Sequence, residues 1–192
     1  MIGLFGGAFD PPHNGHVALL GAARETFGLD EVIVVVAAAP GHKAVALPAE
    51  TRLALARAAF PGETILLDEH PRTIDTMRAH PEWQDALFLV GADEFADFLE
   101  WKEPDELLRR VRLGVATRPG YPRERLDAVL GALDRPERVV FFDLAPQEVA
   151  SRELRFALDR GEDVHAEVPP AVWALIEREG LYGRPRSYTG AA

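Results

Sequence analysis

Gly3-Leu4-Phe5-Gly6-Gly7-Ala8-Phe9-Asp10-Pro11-Pro12-His13-Asn14-Gly15-His16 is the stretch on which the fold turns. A short apolar strand, Ile2–Phe5, runs into paired glycines, and Pro11-Pro12 then break the chain. An amphipathic stretch, Gly15–Thr26, follows, with Val17, Leu20 and Ala23 expected on one side. The ending Gly-Lys-Ser/Thr of a phosphate-binding Walker loop is missing, and so is the G-x-G-x-x-G dinucleotide fingerprint. Gly6 and Gly7 allow close backbone approach to a ligand and expose amide donors. His13 and His16 stand three apart at a helix start and can face the same spot. A helix N-terminus there already favours anions. Two imidazoles and a helix end suit a polyphosphate; the plainer alternative is a strand–turn–helix in which the histidines are incidental.

Outward from this stretch, short β-like runs alternate with helical ones. Strands are predicted at Val32–Ala37, Thr64–Leu67, Ala86–Val90, Leu113–Thr117 and Val139–Asp143. Helices are predicted at Ala49–Phe60, Thr73–His80, Asp105–Arg110, Glu124–Leu133, Ser151–Arg160 and Ala171–Glu179. The Val32–Ala37 run is apolar on both faces, as an interior parallel strand requires. Alternation of this kind implies βαβ units with right-handed crossovers, hence an open, doubly wound α/β fold around one parallel sheet. Ligands of such sheets bind outside the carboxyl ends of the strands. Gly6–His16, Ala38–Lys43, Gly91–Asp93 and Thr117–Gly120 should therefore share one crevice. Residues 1–183 read as a single domain, and 184–192, lacking periodicity, as a flexible tail.

The chain has 192 residues, 47% of them apolar, enough for a sizeable core and too apolar for disorder. Cysteine is absent, which excludes disulfides, thiolate zinc sites and thiol nucleophiles. The start lacks a basic flank and a long apolar run, so neither a signal peptide nor a membrane span is expected, and the cytoplasm is the default location. Lys and Arg number 21 against 31 Asp and Glu, a net charge of −10 that disfavours nucleic acid as a partner. Lys43 and Lys102 are the only lysines. No His/Asp cluster suggests a tightly held catalytic metal.

Gly-Gly-x-Phe-Asp-Pro-x-His-x-Gly-His resembles the signature of the His-x-Gly-His nucleotidyltransferases. These move an adenylyl or cytidylyl group from a nucleoside triphosphate to a phosphate, with pyrophosphate leaving. Pro40-Gly41-His42-Lys43 followed by Arg52 is similar to the Pro-Pro-His-Lys…Arg stretch of the bacterial nicotinate mononucleotide adenylyltransferases. Gly91-Ala92-Asp93 with Trp101, Arg118-Pro119-Gly120, and Val168-Pro169…Gly180-Leu181-Tyr182 extend the resemblance in order along nearly the whole chain. Two stretches depart from it. Pro71-Arg72-Thr73-Ile74-Asp75-Thr76 stands for Ser-Tyr-Thr-x-Asp-Thr, after a shortened loop. Val149-Ala150-Ser151-Arg152-Glu153-Leu154-Arg155 stands for Ile-Ser-x-Thr-x-Ile-Arg, so that one hydroxyl contact to the ATP phosphates is either missing or supplied by Ser151 alone, with Mg²⁺ or the Arg152 guanidinium able to compensate.

The resemblance implies a Rossmann-like nucleotidyltransferase fold with C-terminal helices, ATP and nicotinate mononucleotide as substrates, and Mg²⁺ accompanying ATP. It implies His13, His16 and Lys43 as catalytic residues, His16 at the α-phosphate and His13 on the leaving side. Gly6, Gly7, Ala8, Phe9, Gly15, Arg118, Ser151 and Arg155 would bind ATP, with Arg118 either closing over it or lying on the surface. Thr73, Gly91, Asp93, Trp101 and Lys102 would bind the acceptor. Asp93 either holds ribose hydroxyls or caps a helix at Glu94, and Trp101 either stacks on the pyridine ring or fills the core. Arg52 reads as a surface or supporting residue. Other acceptors, nicotinamide mononucleotide or phosphopantetheine, and a non-catalytic nucleotide sensor are the competing readings. Trp101 and the Gly-Leu-Tyr ending weigh against phosphopantetheine.

Overall fold

The computed structural model describes residues 1–41, 44–118, 120–146 and 149–183. Six parallel strands form one sheet in the order β3-β2-β1-β4-β5-β6. They are β1 (Ile2–Gly7), β2 (Glu31–Ala37), β3 (Thr64–Asp68), β4 (Leu87–Gly91), β5 (Arg112–Thr117) and β6 (Val139–Asp143). The order runs outward from β1 in one direction and then restarts at its other side with β4. The switch point therefore lies between β1 and β4, where Phe5 pairs with Leu89.

The period-two pleat explains the unbroken apolar runs. In β2, Val32, Val34 and Val36 face one core and Ile33 and Val35 the other. The first core is closed by α1 (Asn14–Phe27), α2 (Ala49–Ala59), α7 (Ser151–Asp159) and α8 (Pro170–Glu179). The second is closed by α3 (Thr73–Ala79), α4 (Ala92–Ala96), α5 (Pro104–Arg110) and α6 (Arg123–Ala132). Gly28 and Gly180 end α1 and α8 in the left-handed conformation, at φ 60° and 64°, where a side chain would be strained. Among the described residues, no helix is long and apolar enough to cross a membrane.

The predicted elements hold to within a residue or two, with two corrections. α1 buries Leu19, Leu20 and Ala23, whereas Val17 is exposed. The buried stripe is centred between positions 19 and 20, and 17 lies more than a quarter-turn away from it. α4 (Ala92–Ala96) stands in the sequence reading only as a helix start that Asp93 could cap at Glu94, without bounds. It is a five-residue helix opened by Gly91, whose N–H donates to the Glu94 carboxylate at 3.3 Å.

Candidate active site

The turn between β1 and α1 sits at the carboxyl end of a central strand, and its shape depends on its aromatic rings. Phe9 takes the left-handed conformation at φ 51°, and its buried ring packs edge-on against Phe5 and Phe60. A Cβ on Gly7 would lie 2.8 Å from Phe9 Cζ, and one on Gly6 would lie 3.0 Å from Phe88 Cζ. The protein's own rings thus take the space that the missing side chains free. The Phe9 side chain is turned away from any ligand, so only its backbone is available to one. The Ala8 carbonyl is likewise engaged, accepting from Arg52 at 2.8 Å.

α1 opens with His13 as its N-cap, and the His13 backbone N–H donates to His16 Nδ1 at 3.1 Å. That bond leaves the proton of a neutral His16 on Nε2. The two imidazoles lie 3.7 Å apart, and the Phe9 ring supports His16 at 5.2 Å. His13 is 8% exposed, and burial lowers its pKa to about 4, so it is neutral at physiological pH. Its Nδ1 is buried without a hydrogen-bond partner among the described residues, so it is open to a ligand group or an ordered water. Gly15 makes room for this ring, because a Cβ there would stand 3.0 Å from His13 Nδ1.

Beneath the histidines lies a charged network that the sequence reading left largely unassigned. Arg52, placed there at the surface or in support, is 1% exposed and belongs wholly to the second description. Its guanidinium donates to the carbonyls of Ala8, Ala37, Ala38 and Leu47 at 2.7–3.1 Å, clamping the ends of β1 and β2 together. Asp10, also 1% exposed, accepts from the Ala46 N–H at 2.5 Å and the Tyr182 hydroxyl at 2.7 Å. Arg155 donates to the carbonyls of Asp10 at 2.7 Å and Ala44 at 3.2 Å. Ser151 Oγ donates to the Pro11 carbonyl at 2.8 Å. The exposed Arg152 guanidinium instead lies 5.6 Å over the Phe156 ring. Asp10, Arg52 and Tyr182 all stand in motifs quoted from the sequence; the missing signal was burial, which a motif does not report.

On the other side of the switch point, Gly91 ends β4 and Asp93 lies exposed in the first turn of α4. Glu94, not Asp93, closes the helix start, and Asp93 Oδ1 accepts from the Tyr121 hydroxyl at 3.0 Å. Trp101 is half-buried, edge-on to Phe88 at 6.2 Å. Lys102 Nζ pairs with Asp75 of α3 at 3.1 Å, bringing Trp101-Lys102 beside the helix that Thr73 opens. Arg118 is exposed and lines a cavity of about 230 Å³ with Tyr121, Arg123 and Asp143. Lys43 lies outside the described residues. Among those residues, no three His, Asp or Glu side chains converge to form a metal cage.

A cytidylyltransferase-like family model matches residues 4–157. A probable nicotinate-nucleotide adenylyltransferase of Thermus thermophilus is 40% identical, the match covering 94% of this chain and 98% of that one. Its counterpart from Bordetella avium is 36% identical, over 94% and 97%. In structure, the chain is similar to a Plasmodium falciparum nicotinic acid mononucleotide adenylyltransferase complexed with NaAD. The TM-score is 0.72 at 18% identity, over 96% of this chain and 98% of that one.

Proposed function

The chain belongs to the nicotinate-nucleotide adenylyltransferases of the cytidylyltransferase-like family, and from that premise we propose how its crevice carries the reaction. The enzyme transfers the adenylyl group of ATP to nicotinate mononucleotide, a step of NAD biosynthesis. A phosphate oxygen of the mononucleotide attacks the α-phosphorus of ATP. The bond from that phosphorus to the β-phosphate oxygen breaks, and pyrophosphate leaves with the electron pair.

The attacking phosphate has a second pKa near ~6 and is already ionised at neutral pH, so no general base is needed. What the protein must supply is alignment, with donors where charge gathers. The observation that carries this reading is the paired His13–His16 ring system at the start of α1, held on the end of β1. We assign the His16 Nε2–H to the α-phosphate oxygens and His13 to the leaving side. Lys43, Arg118 and Arg155 neutralise phosphates, and the amides of Gly6–Phe9 and Gly15 line the triphosphate path, with Ser151 beside it. Mg²⁺ brought with ATP would supply further charge neutralisation at the pyrophosphate, beside the cations of Lys43, Arg118 and Arg155. Thr73, Gly91, Asp93, Trp101 and Lys102 surround the acceptor, with Trp101 against its pyridine ring. Both substrates are free nucleotides, which suits a cytoplasmic enzyme.

Pyrophosphate release from ATP and Mg²⁺ tests the reading against a panel of nicotinate mononucleotide, nicotinamide mononucleotide and phosphopantetheine. Release with the first, accompanied by NaAD, is the expected result. Silence with every acceptor sinks it.

A further inference from the structure

We propose that Tyr182, in the C-terminal turn, is a positioning residue that latches the segment following β2 onto the β1–α1 loop. The role rests on the reading that these two loops hold the ATP phosphates. Tyr182 stands at φ 56°, ψ 40°, a left-handed conformation unfavourable for a bulky side chain. Strain of this kind persists only where the surroundings impose it. Here the surroundings are Asp10, which takes the phenolic hydroxyl at 2.7 Å. Burial and the neighbouring carboxylate both push the Tyr182 pKa up, so the phenol stays protonated and donating.

Asp10 is where the loops meet. Its Oδ2 accepts the Ala46 N–H, and its main-chain carbonyl accepts Arg155, which also holds the Ala44 carbonyl. The stretch that begins directly after Lys43 is therefore fastened at 44 and 46 to the residue three before His13. The Tyr182 hydroxyl occupies Asp10 Oδ1 and so fixes the carboxylate rotamer on which the Ala46 bond depends. Gly180 and Gly183, both at positive φ, allow the chain to turn tightly enough to deliver this ring from the end of α8.

The lysine content of the chain provides a test independent of activity. An endoproteinase specific for lysine can cut only after Lys43 and Lys102. Tyr182→Phe removes the hydroxyl and keeps the ring. Cleavage after Lys43 is expected to accelerate about fivefold, the change in local opening that follows loss of one buried hydrogen bond. Cleavage after Lys102, across the sheet, should change less than twofold. In the same variant KM for ATP should rise with kcat changed less, because the latch sets the binding loop's geometry rather than touching reacting atoms. Equal acceleration at both lysines would mean that Tyr182 merely supports the whole fold, and overturns the proposal. Unchanged cleavage at both overturns it as well. Selective opening at Lys43 in a protein that shows no adenylyl transfer would uphold the latch while removing the assigned reaction.

Discussion

The His13 imidazole lies over that of His16, centroids 3.7 Å and planes 33° apart, while the His13 backbone N–H donates to His16 Nδ1. One residue thus supplies both the stacking partner and the tautomer lock of the other. His16 presents Nε2–H without having to carry a charge, and a neutral donor in a fixed place stabilises charge that grows only in the transition state.

His16→Ala should therefore lower kcat by roughly 10²–10³-fold, as loss of a single oxyanion donor does, with a much smaller change in ATP affinity. Steady-state kinetics beside nucleotide titration make the comparison. Near-wild-type turnover in a folded variant would remove His16 from the reaction.

Burial of His13 makes stability depend on pH. Its folded pKa, about 4, lies below the unfolded value of 6.5, so as pH falls below 6.5 the unfolded chain takes up a proton that the folded one refuses. This contribution is complete above pH 6.5 and is lost progressively down to pH 4. Between pH 7 and pH 5 the wild type should lose about 2 kcal/mol more than His13→Gln, which does not titrate. Urea unfolding of both proteins at the two pH values measures the difference. Parallel losses would show that His13 is protonated in the folded state.

Gly15→Ala separates stability from activity. Alanine inside a helix is favoured over glycine by about 1 kcal/mol. The new methyl, however, meets His13 Nδ1 at 3.0 Å and Val149 Cγ1 at 3.2 Å, so the imidazole must shift by a few tenths of an ångström. The melting temperature should hold or rise slightly while kcat falls about tenfold, as small misplacements of catalytic groups produce. A variant that is stable and fully active would show that the ring position is not critical.

The legible parts of this molecule are those where a single physical pattern repeats. Val32–Ala37 reads as an interior strand because both of its faces are covered by helices, and the six β-like runs alternating with helical ones determine the sheet. His13 and His16 are legible because their spacing and their glycines lie close together in sequence. Arg52 is not, since nothing near it in the chain reveals that four carbonyls from three separate segments converge on its guanidinium. Asp10 and Tyr182 are 172 positions apart, and only the folded chain makes them partners. α4 is legible only as a helix start near Glu94, because five residues are too few for a 3.6-residue period to show its extent.

Selection of the acceptor turns on one functional group, a ring carboxylate in nicotinate mononucleotide against a carboxamide in the nicotinamide analogue. A site for the acid offers donors only, whereas an amide needs an acceptor for its NH₂, and a buried donor facing that NH₂ is left unpaired. The candidate donors are the backbone amides near Thr73 and Lys102, since the Trp101 N–H already donates to the Phe98 carbonyl at 3.0 Å, and Lys102 itself is held by Asp75. Arg72 precedes Thr73, and its guanidinium crosses to the turn after β2: Nη1 lies 2.5 Å from where a Cβ on Gly41 would stand. That side chain is exposed, its Nη1 also donating to the Pro71 carbonyl at 2.9 Å, and it carries positive charge next in sequence to Thr73. kcat/KM for nicotinate mononucleotide should exceed that for the amide at least about tenfold, equivalent to about 1.4 kcal/mol. Arg72→Ala should shrink the ratio about threefold, chiefly by weakening the acid, because an exposed cation contributes modestly. Kinetics with both acceptors on both proteins decide the matter. Equal efficiencies in the wild type would mean that the shortened loop has rebuilt the pocket, and an unchanged ratio in the variant would mean that the backbone amides alone select the acid.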